Sequence, residues 1–470
     1  MFNLEKFPNN TAVITDKGET MTYSQLIAIA NEFADAIPQN GLLFCLCENR
    51  IGSLVGYVAC MEHHIPIVLL DGSKDISVLQ NLMTIYQPEY IWISSDKIES
   101  IGGETIYKYA TFSLQKMNYE VEVEKPEINP ELALCLTTSG STGSPKFVRL
   151  TAKNVLANAE SIAEYLEIDE NERPITTLPS YYSYGVSVIN SHLIKGATLL
   201  LTEGTVAQRE FWTFLKEQKA TSISGVPYTY EMLKMLRFFR MDLPYLKTMT
   251  QAGGKLNKDI AKEYIEYAKE KGKRFFVMYG QTEATARMSY LPFEHALEKY
   301  ASIGIAIPRG QFSLIDVNGN AIEEPDVDGE LVYIGPNVSL GYAECRADLA
   351  KGDDNHGELH TGDVARRDSD GFYYITGRMK RFVKVWGNRC NLDATEQMVK
   401  AITTSCACVG VDDKITVFVT EKGLEDRIIK LLSEKTGFNS KAFEVRVIDA
   451  IPVKSSGKLD YPAMQAMING

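Results

Sequence analysis

The chain has 470 residues, a formal net charge of −12 and 45% hydrophobic residues, a length that one hydrophobic core does not serve and that calls for two or three lobes. The acidic balance argues against a general nucleic-acid binder, which needs a basic face for the phosphate backbone. No apolar run approaches the roughly 18 residues of a membrane span, and residues 1–6 lack the charged-then-apolar layout of a signal peptide, so a cytoplasmic protein is expected.

Residues 20–26 read as a strand running into an amphipathic helix capped near Thr22 or Ser24. Short apolar strands at 42–47, 65–70 and 90–93 alternate with helix-like segments, a pattern of parallel α/β layers. Two more apolar runs, 132–136 and 147–151, bracket Thr137 to Lys146, which therefore reads as a hairpin loop. Beyond it come a helix over 152–166, a loop at 179–184, a helix toward Ile194, a strand at 197–201 and a helix near 210–216. A strand at 222–225, a helix over 228–236, a strand at 246–251 and a buried strand at 274–279 follow. From 303 to 375 the texture changes to short strands with Gly and Pro turns, a β-rich third lobe. Around Thr376 to Arg381 the chain becomes basic, and a small segment of mixed helix and strand closes it. The expected architecture is α/β, with an N-terminal core over 1–379 made of layered sheets plus the β-rich lobe, and a small α+β domain over 380–470. The eight cysteines lie in apolar segments, and the pairs Cys45/Cys47 and Cys406/Cys408 suit one face of a strand better than a metal chelate. They read as reduced structural thiols.

The loop Thr137-Thr138-Ser139-Gly140-Ser141-Thr142-Gly143-Ser144-Pro145-Lys146 is nearly all hydroxyls and glycines. Glycines let a backbone turn its N–H groups onto a ligand, and hydroxyls with one lysine add donors to anionic oxygens, so it suits a nucleotide triphosphate. A flexible Ser/Gly linker would not be held tightly between two apolar runs. A Walker-type loop needs Gly-Lys-Ser/Thr opening a helix, and here Lys146 follows proline and enters a strand.

Five further motifs follow in order: Gln251-Ala252-Gly253-Gly254, Tyr279-Gly280-Gln281-Thr282-Glu283, Thr361-Gly362-Asp363, Gly377-Arg378 and Ser455-Ser456-Gly457-Lys458. Together with the loop, the set resembles the adenylate-forming (AMP-binding) superfamily of acyl- and aryl-CoA synthetases, peptide-synthetase adenylation domains and luciferases. The resemblance spans essentially the whole chain. It implies that Thr138, Ser139, Gly140, Ser141, Thr142, Gly143 and Lys146 clamp the β- and γ-phosphates of ATP. Gly253, Tyr279 and Gly280 are implied at adenine, Thr282 at the α-phosphate and Glu283 at Mg²⁺, which favours carboxylate and phosphate oxygens. Asp363 is implied at the ribose hydroxyls, for which a carboxylate is a bidentate acceptor, with Arg378 also on the nucleotide. Lys458 is implied as the catalytic ammonium that stabilises charge spreading over the phosphoryl oxygens. Lys380 falls at the hinge of a mobile C-terminal domain, and Lys384 and Gly387 in the segment that lines the thiol's tunnel. Asn391 and Ala394 depart from the family's usual residues.

Such a protein is a ligase that activates a carboxylic acid as an acyl-adenylate and then passes the acyl group to a thiol, coenzyme A or the phosphopantetheine of a carrier protein. Selection of the acid is expected at Tyr181, Tyr182, Tyr184 and Gly185. No acidic residue occurs from 175 to 195, so the α-ammonium of an amino acid would be left unpaired in an apolar pocket. That favours an acid without an α-amino group over amino-acid adenylation with carrier loading. A non-catalytic nucleotide-binding relative should have lost Glu283, Asp363 or Lys458, and all three are present.

Overall fold

The computed structural model describes residues 1–39, 41–120, 123, 125–137, 146–386, 388–453 and 459–469. They form two compact units, Met1–Gln311 with Tyr333–Leu359, and Phe312–Val332 with His360–Gly470. Among the described residues no helix is long and apolar enough to cross a membrane.

The first unit is built on two sheets. In one, the strands run in the order Ile305–Ala306, Ser289–Tyr290, Arg274–Tyr279, Thr248–Gln251, Ser222–Gly225, Pro174–Ile175, Leu199–Leu201, Thr11–Thr15 and Thr20–Thr22. Every pairing from Arg274–Tyr279 across to Thr11–Thr15 is parallel. In the other, the order is Gly341–Ala343, Phe147–Thr151, Leu132–Thr137, Ile67–Asp71, Leu43–Cys47, Tyr90–Ser94, Phe112–Lys116 and Glu104–Tyr109, parallel through its centre. One core gathers side chains from both sheets and from the helices Tyr23–Asp35, Ile51–Glu62, Ala152–Tyr165 and Ser183–Leu193. The last of these is buried along its whole length, and its polar side chains are satisfied inside, Ser187 by the Tyr184 carbonyl (2.7 Å) and Asn190 by the Tyr57 hydroxyl (2.8 Å). Each fully buried aliphatic or aromatic side chain contributes about 1.5–3 kcal/mol by leaving water.

The helix starts follow local chemistry. Thr22 and Gln25 form a capping box, with Gln25 N–H donating to Thr22 Oγ1 (3.3 Å) and Thr22 N–H to Gln25 Oε1 (2.8 Å). Thr151 and Asn154 do the same for the helix after the hairpin that flanks residues 138–145 (3.0 and 2.9 Å). That hairpin is present as read: Leu132–Thr137 pairs antiparallel with Phe147–Thr151.

The second unit holds most of a four-stranded sheet ordered Gln311–Ile315, Gly329–Ile334, Glu358–Arg367 and Tyr373–Arg378. It continues into the hairpin Phe382–Val385 with Asn388–Asn391 and the sheet Cys406–Val411, Lys414–Val419 and Phe443–Val447. The helices Leu392–Val399 and Glu425–Thr436 share a core with these strands, and Met464 of Tyr461–Asn469 packs into another.

Most of the β-rich stretch 303–375 forms the four-stranded sheet, while its short strands Ile305–Ala306 and Gly341–Ala343 complete the two large sheets. Residues 379–380, where the sequence sets its domain boundary, lie within the second unit. All eight cysteines are free, with Cys45 and Cys47 side by side on one strand (3.7 Å), but Cys345 is exposed rather than packed in a core.

Candidate active site

The first unit assembles its candidate residues at the ends of neighbouring parallel strands, where open α/β sheets gather ligands. After Arg274–Tyr279 the chain turns sharply through Gly280 to the 3-10 turn Thr282–Ala284. A Cβ at Gly280 would collide with the Ala286 carbonyl, so the turn requires glycine. Thr285 and Ala286 then take φ values of 58° and 109°, a conformation that costs non-glycine residues free energy and persists only when braced. Asn337 supplies the brace. Its Nδ2 donates to the carbonyls of Ala284 (2.7 Å) and Arg287 (3.2 Å), its carbonyl accepts from Thr285 Oγ1 (2.6 Å), and its Oδ1 accepts from Tyr333 Oη (2.8 Å).

Glu283 is held from the neighbouring sheet. Tyr342, on the short strand Gly341–Ala343, donates its hydroxyl to Glu283 Oε1 at 2.7 Å; burial and the Glu283 charge both push the Tyr342 phenol above its ordinary range. Because that strand pairs with Phe147–Thr151, it also meets the end of the hairpin formed by Leu132–Thr137 and Phe147–Thr151. Lys146 pairs with Glu344 (2.5 Å) and lies 5.7 Å from the Tyr342 ring centroid. Lys146, Tyr342 and Glu283 therefore form one chain of contacts. Among the described residues no three His, Cys, Asp or Glu side chains gather at one point. Glu283 presents one hard carboxylate at this turn, a donor type that fits Mg²⁺ in company with phosphate oxygens and water.

The aromatic segment arrives on the helix Ser183–Leu193. Ser183 Oγ lies 3.1 Å from Thr282 Oγ1, which ties this helix to the turn. Tyr182 is half-buried, edge-on to Tyr184 at 6.4 Å between centroids, and its hydroxyl sits where a Cβ on Gly253 (φ 82°) would be. Gln251 Nε2 closes that turn by donating to the Gly254 carbonyl (2.9 Å). Tyr184 is a core residue: its hydroxyl meets the Thr250 carbonyl and Oγ1 (2.9 and 2.8 Å), and the Arg287 guanidinium lies 4.9 Å from its ring centroid. Gly185 packs against the Pro179 carbonyl with no room for a side chain. Tyr181 is half-buried with Asp71 beside it, and burial followed by that carboxylate raises its phenol well above the usual range. Tyr279 ends its strand with its hydroxyl accepting from Gln281 Nε2 at 3.3 Å.

In the second unit, Asp363 and Arg378 stand opposite each other on paired strands, and Arg378 Nε donates to Asp363 Oδ1 at 2.9 Å. Asp363 is buried, whereas Arg378 is largely exposed. Lys380 lies in the 3-10 turn Met379–Arg381, and Lys384 is exposed on Phe382–Val385, with its backbone tied to Asp412 (2.9 Å) and Asp413 (2.7 Å). The departure at Asn391 has a local cause. Its Oδ1 caps the helix Leu392–Val399 through the N–H groups of Asp393 (2.8 Å) and Ala394 (3.1 Å), while its Nδ2 donates to the Thr376 carbonyl (2.9 Å). Thr138, Ser139, Gly140, Ser141, Thr142, Gly143, Gly387 and Lys458 lie outside the described residues, as does the side chain of Lys380.

Sequence reasoning missed Tyr342, Asn337 and Arg287. The Gly341-Tyr342 pair after a polar turn was a faint signal for the first; nothing in spacing marks a residue 59 positions from its partner.

The family model described as "AMP-binding enzyme" matches residues 2–343. A feruloyl-CoA synthase from Amycolatopsis sp is 26% identical over 480 aligned residues, covering 96% of this chain and 94% of that protein. A 2-succinylbenzoate--CoA ligase from Staphylococcus aureus strain MW2 is 25% identical, covering 95% of each chain. The solved O-succinylbenzoate coenzyme A synthetase from Bacillus subtilis, in complex with ATP and magnesium ion, superposes with a TM-score of 0.74 at 20% identity, covering 96% of each chain.

Proposed function

Because the chain belongs to the AMP-binding enzyme family, we propose that the strand-end cluster of its first unit is where ATP and a carboxylic acid meet, with coenzyme A as the acceptor of the acyl group. The enzyme is an AMP-forming acid–thiol ligase. In the first half-reaction a carboxylate oxygen attacks the α-phosphorus of ATP, the bond to the β-phosphate oxygen breaks, and pyrophosphate leaves. In the second, a thiolate attacks the carbonyl carbon of the acyl-adenylate, and AMP leaves with the electron pair of the broken C–O bond.

The observation that carries the site assignment is the turn Thr282–Ala284, braced by Asn337 and joined to the aromatic segment through Ser183. Such fixed donors help a reaction because they need no reorganisation as charge develops. In this reading Thr282 meets the α-phosphate, Glu283 holds Mg²⁺ in the orientation set by Tyr342, and Tyr279, Gly280 and Gly253 border adenine. Bound Mg²⁺ neutralises charge on the leaving pyrophosphate. Lys146 and the loop residues 138–143 grip the outer phosphates, Asp363 and Arg378 serve the ribose end, and Lys458 serves the reacting phosphoryl oxygens. Lys380 is the hinge residue, and Lys384 with Gly387 borders the thiol. Tyr181 and Tyr182 face the acid, whereas Tyr184 and Gly185 shape the wall by packing.

Coenzyme A is favoured over a carrier protein because relatives spanning the length of the chain are named as CoA ligases. The eight free cysteines suit a reducing cytoplasm. The test is acid-dependent ATP–pyrophosphate exchange over fatty, aryl and amino acids, followed by offering the best acid with coenzyme A or with a holo carrier protein. Thioester formation with coenzyme A alone supports the reading; exchange without any acid dependence, or acyl transfer to the carrier protein alone, sinks it.

A further inference from the structure

Four arginines are buried among the described residues: Arg149, Arg287, Arg346 and Arg381. Three have carboxylate partners, Arg149 with Asp354 (2.6 Å), Arg346 with Glu89 (3.0 Å) and Arg381 with Asp393 (2.7 Å) and Glu396 (3.4 Å). Arg287, only 2% exposed, pairs with none. Its Nη1 donates to Tyr165 Oη (3.2 Å) and contacts Met278 Sδ (3.4 Å), and its Nε has no acceptor. A buried guanidinium keeps its charge, since its proton is not given up at any ordinary pH. Leaving such a charge uncompensated is costly, and aromatic faces offset only part of the cost.

The position of this charge is specific. It lies behind the Tyr184 ring, at the head of the helix that Ser183 joins to Thr282. It is four residues past Glu283, on the turn that Asn337 braces through the Arg287 carbonyl itself. We propose that Arg287 is the specificity-determining residue of the acid pocket, a fixed cation behind its aromatic wall that disfavours substrates bearing an ammonium group and favours the free carboxylate. The inference rests on the reading of the 179–187 segment as the acid's binding wall.

The charged surroundings agree. No acidic residue lies between 175 and 195 to balance Arg287 from that segment. His192, on the same helix, is held neutral chiefly by burial and further by the Arg287 charge, its pKa lowered to about 4. Asp71 is the carboxylate that approaches the segment, beside Tyr181, but its Oδ1 already accepts from the Ser73 N–H (3.0 Å) and hydroxyl (2.6 Å). A second positive charge about 8 Å from the guanidinium, at an effective permittivity of about 20, is disfavoured by roughly tenfold to a hundredfold in binding. The same field favours the carboxylate before it reacts, so it acts on KM for the acid more than on kcat.

The experiment compares matched acids that differ at one group: 3-phenylpropionate, phenyllactate and phenylalanine, and likewise 4-methylvalerate, 2-hydroxyisocaproate and leucine. Pyrophosphate exchange is measured on the whole protein and on Arg287→Met, Arg287→Gln and Arg287→Lys. The hydroxy and amino acids are nearly the same size, so their kcat/KM ratio reports charge. In the wild type the ratio should favour the hydroxy acid by at least tenfold. It should shrink about tenfold or more in the Met and Gln variants through KM, and be retained in the Lys variant, while Asp71→Asn should leave it unchanged. If the neutral variants lose both activities in proportion, Arg287 is structural and the proposal is overturned. It is equally overturned if the wild type prefers the amino acid, a result that needs no variant to fold. Absence of exchange with every acid would instead count against the ligase reading.

Discussion

Replacing Tyr342 by phenylalanine tests how Glu283 is oriented. The substitution keeps the ring beside Lys146 and removes only the hydroxyl that donates to Glu283 Oε1 at 2.7 Å. A hydrogen bond to a charged group contributes about 1.5–3 kcal/mol when buried. Tyr342 is 43% exposed, so water takes over part of the role, and about 1 kcal/mol of orientation remains, close to a fivefold effect. Titrating Mg²⁺ into the pyrophosphate-exchange reaction at saturating acid should show half-saturation about fivefold higher for Tyr342→Phe, with KM for the acid unchanged. Unchanged Mg²⁺ dependence would refute the claim that Tyr342 orients a metal-binding carboxylate. Tighter Mg²⁺ binding would refute it more strongly, since the hydroxyl would then be competing with the ion.

Three further outcomes are expected. Asn337→Ala removes the donors to the Ala284 and Arg287 carbonyls and the acceptor of Tyr333; urea unfolding should show a loss of about 2–4 kcal/mol, with exchange activity falling as the strained turn relaxes. His192 has its folded pKa lowered from 6.5 to about 4 by burial, so the unfolded chain binds more protons between these values and stability falls as pH drops through that window. The full contribution, about 3 kcal/mol, is present above pH 6.5, and urea unfolding of His192→Gln at pH 7 and pH 4.5 should show a weaker pH dependence than the wild type. Lys458→Ala should abolish adenylate formation while largely sparing thiolysis of a pre-made acyl-adenylate, measured as separate half-reactions; equal loss of both would remove its assigned role.

Much of the scaffold was legible because its causes are local. The strand Arg274–Tyr279 falls where an apolar run ends at a turn residue, and Thr22 caps its helix through a residue three positions on. The resemblance assigned Asp363 and Arg378 to one nucleotide, and the strand register sets them opposite each other across a hairpin. The hairpin Leu132–Thr137 with Phe147–Thr151 followed from its two apolar runs. In each case the interacting groups lie within one turn, one strand or one hairpin, so side-chain type and spacing suffice.

The remaining features were settled by competition for burial over long separations. Nothing in the letters around Gly341–Ala343 says that this short strand joins the edge of Phe147–Thr151 rather than its sequence neighbours, yet that choice brings Tyr342 to Glu283 and Glu344 to Lys146. Tyr184 reads as a pocket tyrosine until Thr250 takes its hydroxyl. Arg287 is an ordinary arginine in the sequence and becomes a buried cation without a carboxylate only once the sheet, the helix at 183–193 and Tyr165 close around it. The sequence by itself determined the motifs, the strands that end in them and the class of reaction they serve. The tertiary structure decided which side chains orient those motifs and where uncompensated charge is left, because burial depends on every segment that competes for the same core.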